Sequence, residues 1–73
     1  DPWIYAELSQ TFVLDEVMRK RLTDLNPQAS MRMANRLIEA SERAYWTPDD
    51  ATLAALHSAA DTIEDKLEGI AAE

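Results

Sequence analysis

From Leu53 onwards the apolar residues Leu53, Leu56, Ala60, Ile63 and Leu67 recur at intervals of three, four, three and four. That rhythm lines one side of an α-helix and calls for an antiparallel partner helix. A second stripe, Ala29, Met33, Leu37, Ala40 and Ala44, flanked by Ala34, Ile38 and Tyr45, supplies that partner. Its polar side carries Arg32, Arg36, Glu39 and Arg43, with Glu39 in reach of both Arg36 and Arg43. Met18, Leu22 and Leu25 mark one face of a shorter helix, in which Glu16 can pair with Arg19 and Lys20. Trp3, Ile4, Ala6 and Leu8 make a short apolar helix before it. Phe12-Val13-Leu14 is β-like in propensity, but three residues without a partner strand make no sheet, so the stretch reads as a buried link.

The punctuation between these segments predicts where they start and stop. Asp1-Pro2, Asn26-Pro27 and Thr47-Pro48 each set a capping side chain before a proline. The cap accepts a hydrogen bond from an unpaired first-turn amide, and proline at the first helical position lacks an N–H that would go unused. Asp15 offers a fourth start. Gly69 supplies a left-handed stop, with Ile70 placed to fold back on the last turn. The expected helices are therefore about 2–11, 15–25, 27–45 and 48–68. They describe an all-α fold, a small bundle of three to four helices with a C-terminal antiparallel hairpin. Tyr45 and Trp46 fall at the closed end of that hairpin, where aromatic rings that bury ~150–250 Å² each lock two helices together. The same rings are also candidates for a functional surface.

Composition narrows the function classes. Seventy-three residues make a single helical module, and a chain of that size buries only ~60% of its unfolded surface. With no cysteine there is no disulfide, thiolate nucleophile or sulfur-ligated metal. The apolar content of 47%, with one glycine and three prolines, nevertheless argues for a folded chain. A net charge of -7 argues against nucleic acid and anionic membrane surfaces as partners. The charge is uneven: residues 1–46 hold six Lys and Arg against seven Asp and Glu, and residues 47–73 hold one against seven. No apolar run reaches the ~20 residues of a membrane span, and Asp1-Pro2-Trp3 opens neither a signal peptide nor a natural Met start. The chain reads as a fragment of a cytoplasmic protein.

Candidate chemistry is sparse. His57 sits beside the Leu53/Leu56 seam without a second His or Cys, so it reads as a seam-edge histidine rather than a metal ligand. Asp61, Glu64, Asp65 and Glu68 share overlapping helical faces and read as a solvated face, since they lack the looped geometry of a calcium site. Without a phosphate loop or a Ser/His/Asp set, no catalytic, cofactor-binding or metal residue is assigned, and the isolated chain is not expected to catalyse a reaction. The one pattern suited to recognition is Arg36, Glu39, Arg43 and Trp46, spaced three, four and three, with Tyr45 beside its end. Such a mixed-charge ridge ending in an aromatic fits a protein interface, and equally an ordinary solvated face.

Four stretches together carry a family resemblance: Asn26-Pro27; Arg36-Leu37-Ile38-Glu39-Ala40; Arg43-Ala44-Tyr45-Trp46; and Ile63-Glu64-Asp65-Lys66-Leu67-Glu68-Gly69-Ile70. They resemble the extreme C-terminus of the magnesium chelatase large (H) subunit, a family that includes the large subunit of aerobic cobaltochelatase. The likeness runs from Phe12 to Ile70. It implies a C-terminal structural or docking module of a much larger porphyrin-binding subunit, which inserts Mg²⁺ into protoporphyrin IX in (bacterio)chlorophyll synthesis. The implied partners are the rest of that subunit and the ATP-hydrolysing AAA+ I and D subunits. The implied location is the bacterial cytosol, or the plastid stroma in a plant or alga. The cofactors, Mg²⁺, ATP and protoporphyrin IX, belong to the whole complex and none to this chain. Tyr45 beside Trp46 and the acidic ending favour the magnesium branch over the cobalt one. A reading independent of the family is a free-standing acidic adaptor that grips a basic partner through residues 47–73. One departure has a structural consequence: the family usually has Gly where Ala44 stands. Because Ala disfavours a left-handed backbone, the helix is expected to continue through Ala44 and break after Tyr45.

Overall fold

A computed structural model describes residues 2–72. Four α-helices follow one another: α1 Pro2–Ser9, α2 Glu16–Leu25, α3 Pro27–Glu42 and α4 Asp50–Ala72, with a π-helical segment, Gln10–Leu14, between α1 and α2. Among the described residues there is no strand. The longest dimension, 38 Å, is set by α4, because 23 residues at ~1.5 Å each span about 34 Å. The cap expected at Asp1 lies outside the described residues.

The two stripes read from the sequence meet as expected. α3 and α4 make the broadest helix contact in the molecule, and Leu37, Leu56 and Ile63 are its largest fully buried apolar side chains. Residues 43–49 connect the two helices, a link short enough to fold α4 back along α3 as a hairpin. Ala34, Ala40, Ala59 and Ala60 are buried in the same interior, where small side chains let the helices approach. Trp46, Phe12 and Val13 complete the core cluster, and Tyr5, Leu8, Leu53 and Leu67 pack around it.

α2 and α3 are joined by one residue. Asn26 donates its backbone N–H to the Leu22 carbonyl at 2.7 Å, closing α2. Its side-chain oxygen accepts the Ala29 N–H at 3.1 Å and caps α3, as Pro27 at the first position required. Asp15 opens α2 in the same way, accepting from the Met18 N–H at 3.0 Å.

Several boundaries differ from the sequence expectation. α1 ends at Ser9 rather than residue 11, and the expected buried link Phe12-Val13-Leu14 coils as part of the π-helical segment. Phe12 and Val13 are buried and Leu14 is exposed. Wide i→i+5 turns of this kind shift successive side chains relative to an α-helix, and here two adjacent apolar residues both reach the core. α1 also turns Tyr5 and Leu8 inward rather than Trp3, Ile4 and Ala6.

α4 begins at Asp50, not at Pro48. The cap is Asp49, whose carboxylate accepts the Thr52 N–H at 2.7 Å and whose carbonyl accepts from the Leu53 N–H. A carboxylate at the positive end of a helix dipole outcompetes the neutral Thr47 hydroxyl. At the other end, α4 runs through Gly69 to Ala72. A reversal at Gly69 would need an apolar surface for Ile70 to return to, and Ile70 lies exposed.

The largest departure is the end of α3, which stops at Glu42 instead of continuing to residue 45. Ala44 takes the left-handed backbone with φ 61°. The Tyr45 N–H then reaches the Ala40 carbonyl at 2.9 Å and the Ala44 N–H the Ser41 carbonyl at 3.3 Å, the paired bonds of a Schellman cap. Alanine tolerates that conformation at a cost of about 1–2 kcal/mol. The two hydrogen bonds and the burial of Trp46 outweigh it.

Candidate interaction surfaces

The early end of α3 separates the two aromatic rings. Trp46 is 7% exposed and belongs to the core, whereas Tyr45 is 53% exposed. The expectation that both rings plug the corner holds for Trp46 alone, because the left-handed turn at Ala44 sends consecutive side chains to different sides. Trp46 also leaves the ridge that its spacing suggested. Arg36, Glu39 and Arg43 remain on the solvent side of α3, and the Arg43 Nε lies 3.3 Å from a Glu39 carboxylate oxygen. An exposed pair of that kind contributes at most about 1 kcal/mol, so the ridge is not a stabilising device. Arg36, Arg43 and Tyr45 are left as exposed groups of the types favoured in protein interfaces.

A second feature lies between α2 and α4, which are separated by an open groove of about 470 Å³. Val13, Ala59 and Ile63 line it together with Arg19, Lys20, Asp24, Ser58, Thr62 and Lys66. Its polar groups are largely committed to one another. Arg19, expected to pair with Glu16, instead donates from Nη1 to the carbonyls of Val13 at 2.6 Å and Phe12 at 3.2 Å. It thereby satisfies the C-terminal carbonyls of the π-helical segment. Lys66 bridges to Asp24 at 2.9 Å, and its hydrogen bond and charge hold the Asp24 carboxyl below its ordinary range. Thr62 donates to the Ser58 carbonyl. Among the described residues no group of three or more His, Asp or Glu side chains converges to hold a metal. His57, Asp61, Glu64, Asp65 and Glu68 are all exposed.

The third feature was not read from the sequence. Met18, Leu22 and Leu25 were expected to share one face of α2, yet only Leu22 packs against the core. Met18 is 50% exposed and Leu25 85%, with Val17 at 68% and Leu14 at 62%. α2 turns Arg19 and Thr23 inward instead, because those two side chains find hydrogen-bond partners there. The Thr23 hydroxyl donates to the Arg19 carbonyl at 2.8 Å and lies 2.8 Å from the Ser30 hydroxyl of α3. Val17, Met18, Leu22 and Leu25 fall within about 140° of the helix, so helical phase alone does not say which part of that arc is buried.

The chain that folds in this way has known relatives. A family model described as CobN/Magnesium Chelatase matches residues 1–53. The chain is 68% identical over all 73 residues to the magnesium-chelatase H subunit of Cereibacter sphaeroides, covering 6% of that protein. It is 64% identical over the same length to that of Rhodobacter capsulatus, again 6% of the protein. The aerobic cobaltochelatase subunit CobN of Pseudomonas aeruginosa is 36% identical over 62 residues, 85% of this chain and 5% of that protein. The chain thus spans about one-sixteenth of the length of the first two relatives. No helix among the described residues is long and apolar enough to cross a membrane.

Proposed function

This chain belongs to the CobN/magnesium chelatase family, and we propose that it serves as a C-terminal structural and docking module of a magnesium-chelatase large subunit. The observation that carries this reading is the 68% identity over the whole chain to a small part of a magnesium-chelatase large subunit. It is joined by an interior composed for packing rather than chemistry. The identity of 68% with that large subunit against 36% with a cobaltochelatase subunit supports the magnesium branch. In this role the large subunit binds protoporphyrin IX and receives Mg²⁺ in the bacterial cytoplasm, while ATP-driven I and D subunits power insertion. The present segment contributes a rigid hairpin, and Arg36, Glu39, Arg43 and Tyr45 form the ridge through which it meets the motor subunits. A ridge with two arginines and a tyrosine suits a partner surface bearing carboxylates.

The test is to delete this segment from the full-length large subunit and to measure porphyrin affinity and Mg²⁺ chelation separately. Retained porphyrin binding with lost chelation is the expected result. Undiminished chelation, or loss of porphyrin binding itself, would overturn the reading.

A further inference from the structure

α2 turns polar groups inward beside Leu22. Its inward side carries the polar Thr23, buried against Ser30, and Arg19, tied to backbone carbonyls. Its outward side carries Val17, Met18 and Leu25, and Leu14 stands exposed just before the helix begins. At ~100° per residue, those three helical positions lie about 120–160° around α2 from Thr23. Val17, Met18 and Leu25 fall within about 100° of one another around α2, so they form one strip rather than scattered exposures. Single exposed apolar residues are ordinary, but a strip on the side of the helix away from Thr23 marks a surface built to be covered. Arg21, four residues after Val17 and four before Leu25, is the only charge within it.

We infer that the outward face of α2, Leu14, Val17, Met18 and Leu25 around Arg21, is seated against an apolar face of the remaining large-subunit polypeptide that presents a carboxylate to Arg21. This rests on the proposed placement of the segment in a large subunit. Two observations select that occupant. The matched relatives are about sixteen times longer than the segment, so most of the polypeptide available to cover it is outside the described residues. A second copy fits less well, because a two-fold contact through this strip would set Arg21 near its own counterpart in a desolvated interface.

The experiment uses the full-length large subunit alone, without porphyrin or motor subunits, and shown to be monomeric by sedimentation. Hydroxyl-radical oxidation of Met18 and the peptide around it is compared with the same peptide in the urea-unfolded subunit. Oxidation at least roughly ten-fold slower in the folded monomer is expected. A rate within about two-fold of the unfolded one, or protection that appears only in a dimer or after motor subunits are added, overturns the inference. As a second readout, Val17→Asp with Met18→Asp should make the full-length subunit markedly more sensitive to limited proteolysis, while Arg32→Asp on the solvated side of α3 should not. Equal sensitivity of the two variants counts against the seat. Neither readout depends on chelation, so failure here is separate from failure of the functional assignment.

Discussion

The hydroxyls of Thr23 and Ser30 lie 2.8 Å apart in the interior between α2 and α3. Thr23 has one proton and gives it to the Arg19 carbonyl, so the proton between the two hydroxyls comes from Ser30. The direction makes the pair unequal. Thr23→Val strands a buried donor on Ser30 and should cost about 1–3 kcal/mol, whereas Ser30→Ala removes only a donor to Thr23 and should cost about 1 kcal/mol. Urea midpoints of the two variants check the order, and the double variant should cost less than their sum. A larger cost for Ser30→Ala than for Thr23→Val would mean that the bond runs the other way.

Two helix ends carry the residue that the other would suit better. Ala44 holds a left-handed backbone at φ 61°, and Gly69 sits inside α4 with nothing within 4 Å of an added Cβ. Ala44→Gly should therefore stabilise the chain by about 0.5–1 kcal/mol, the relief of the Cβ clash exceeding the entropy gained by the unfolded chain. Gly69→Ala should stabilise it by up to about 1 kcal/mol, since glycine is the poorer helix former. Thermal unfolding of the single variants measures both, and a lower midpoint for Ala44→Gly would remove the strain assigned to that turn.

The acid side of the stability profile follows from two carboxylates. Asp49 is held below its ordinary range by the Thr52 hydroxyl and then by the Thr52 N–H, and Asp24 by Lys66. Because both values are lowered on folding, the unfolded chain binds more protons in acid. Their stabilisation is complete above the ordinary Asp range and is lost as pH falls below about 4 towards the lowered values. Asn still caps a helix but does not titrate, so Asp49→Asn should flatten the pH dependence of stability in that acid window. Denaturant titrations at pH 6 and pH 3 decide this, and an unchanged slope rules out Asp49 as a contributor.

How much of this was legible follows the physics of each element. The Leu53 to Leu67 seam and the stripe through Leu37 were readable because a 3.6-residue period with a short link admits one arrangement. Asn26 was readable because capping is local. Ala44, Gly69 and the face of α2 were not, because each depends on what the rest of the fold offers. Burial of Trp46 decides where α3 stops, and the absence of a surface beside Ile70 lets α4 continue. The Thr23 to Ser30 bond rotates α2 so that Met18 and Leu25 face outward. On the ridge, the exposure of Arg36, Glu39 and Arg43 was visible from helical phase, and the departure of Trp46 from it followed only from the turn at Ala44.

The central claim is that this segment acts by being packed, with Trp46 as the lock of its hairpin and no part in the chemistry. Trp46→Ala should cost about 3–5 kcal/mol, while Tyr45→Ala, on the surface, should stay within about 0.5 kcal/mol. The most direct measurement places the milder Trp46→Phe in the full-length large subunit and follows Mg²⁺ insertion per folded molecule alongside the melting curve. The expected result is a lower melting temperature with an unchanged rate per folded subunit. A variant that melts normally yet inserts Mg²⁺ slowly would contradict the claim and give Trp46 a role in the reaction.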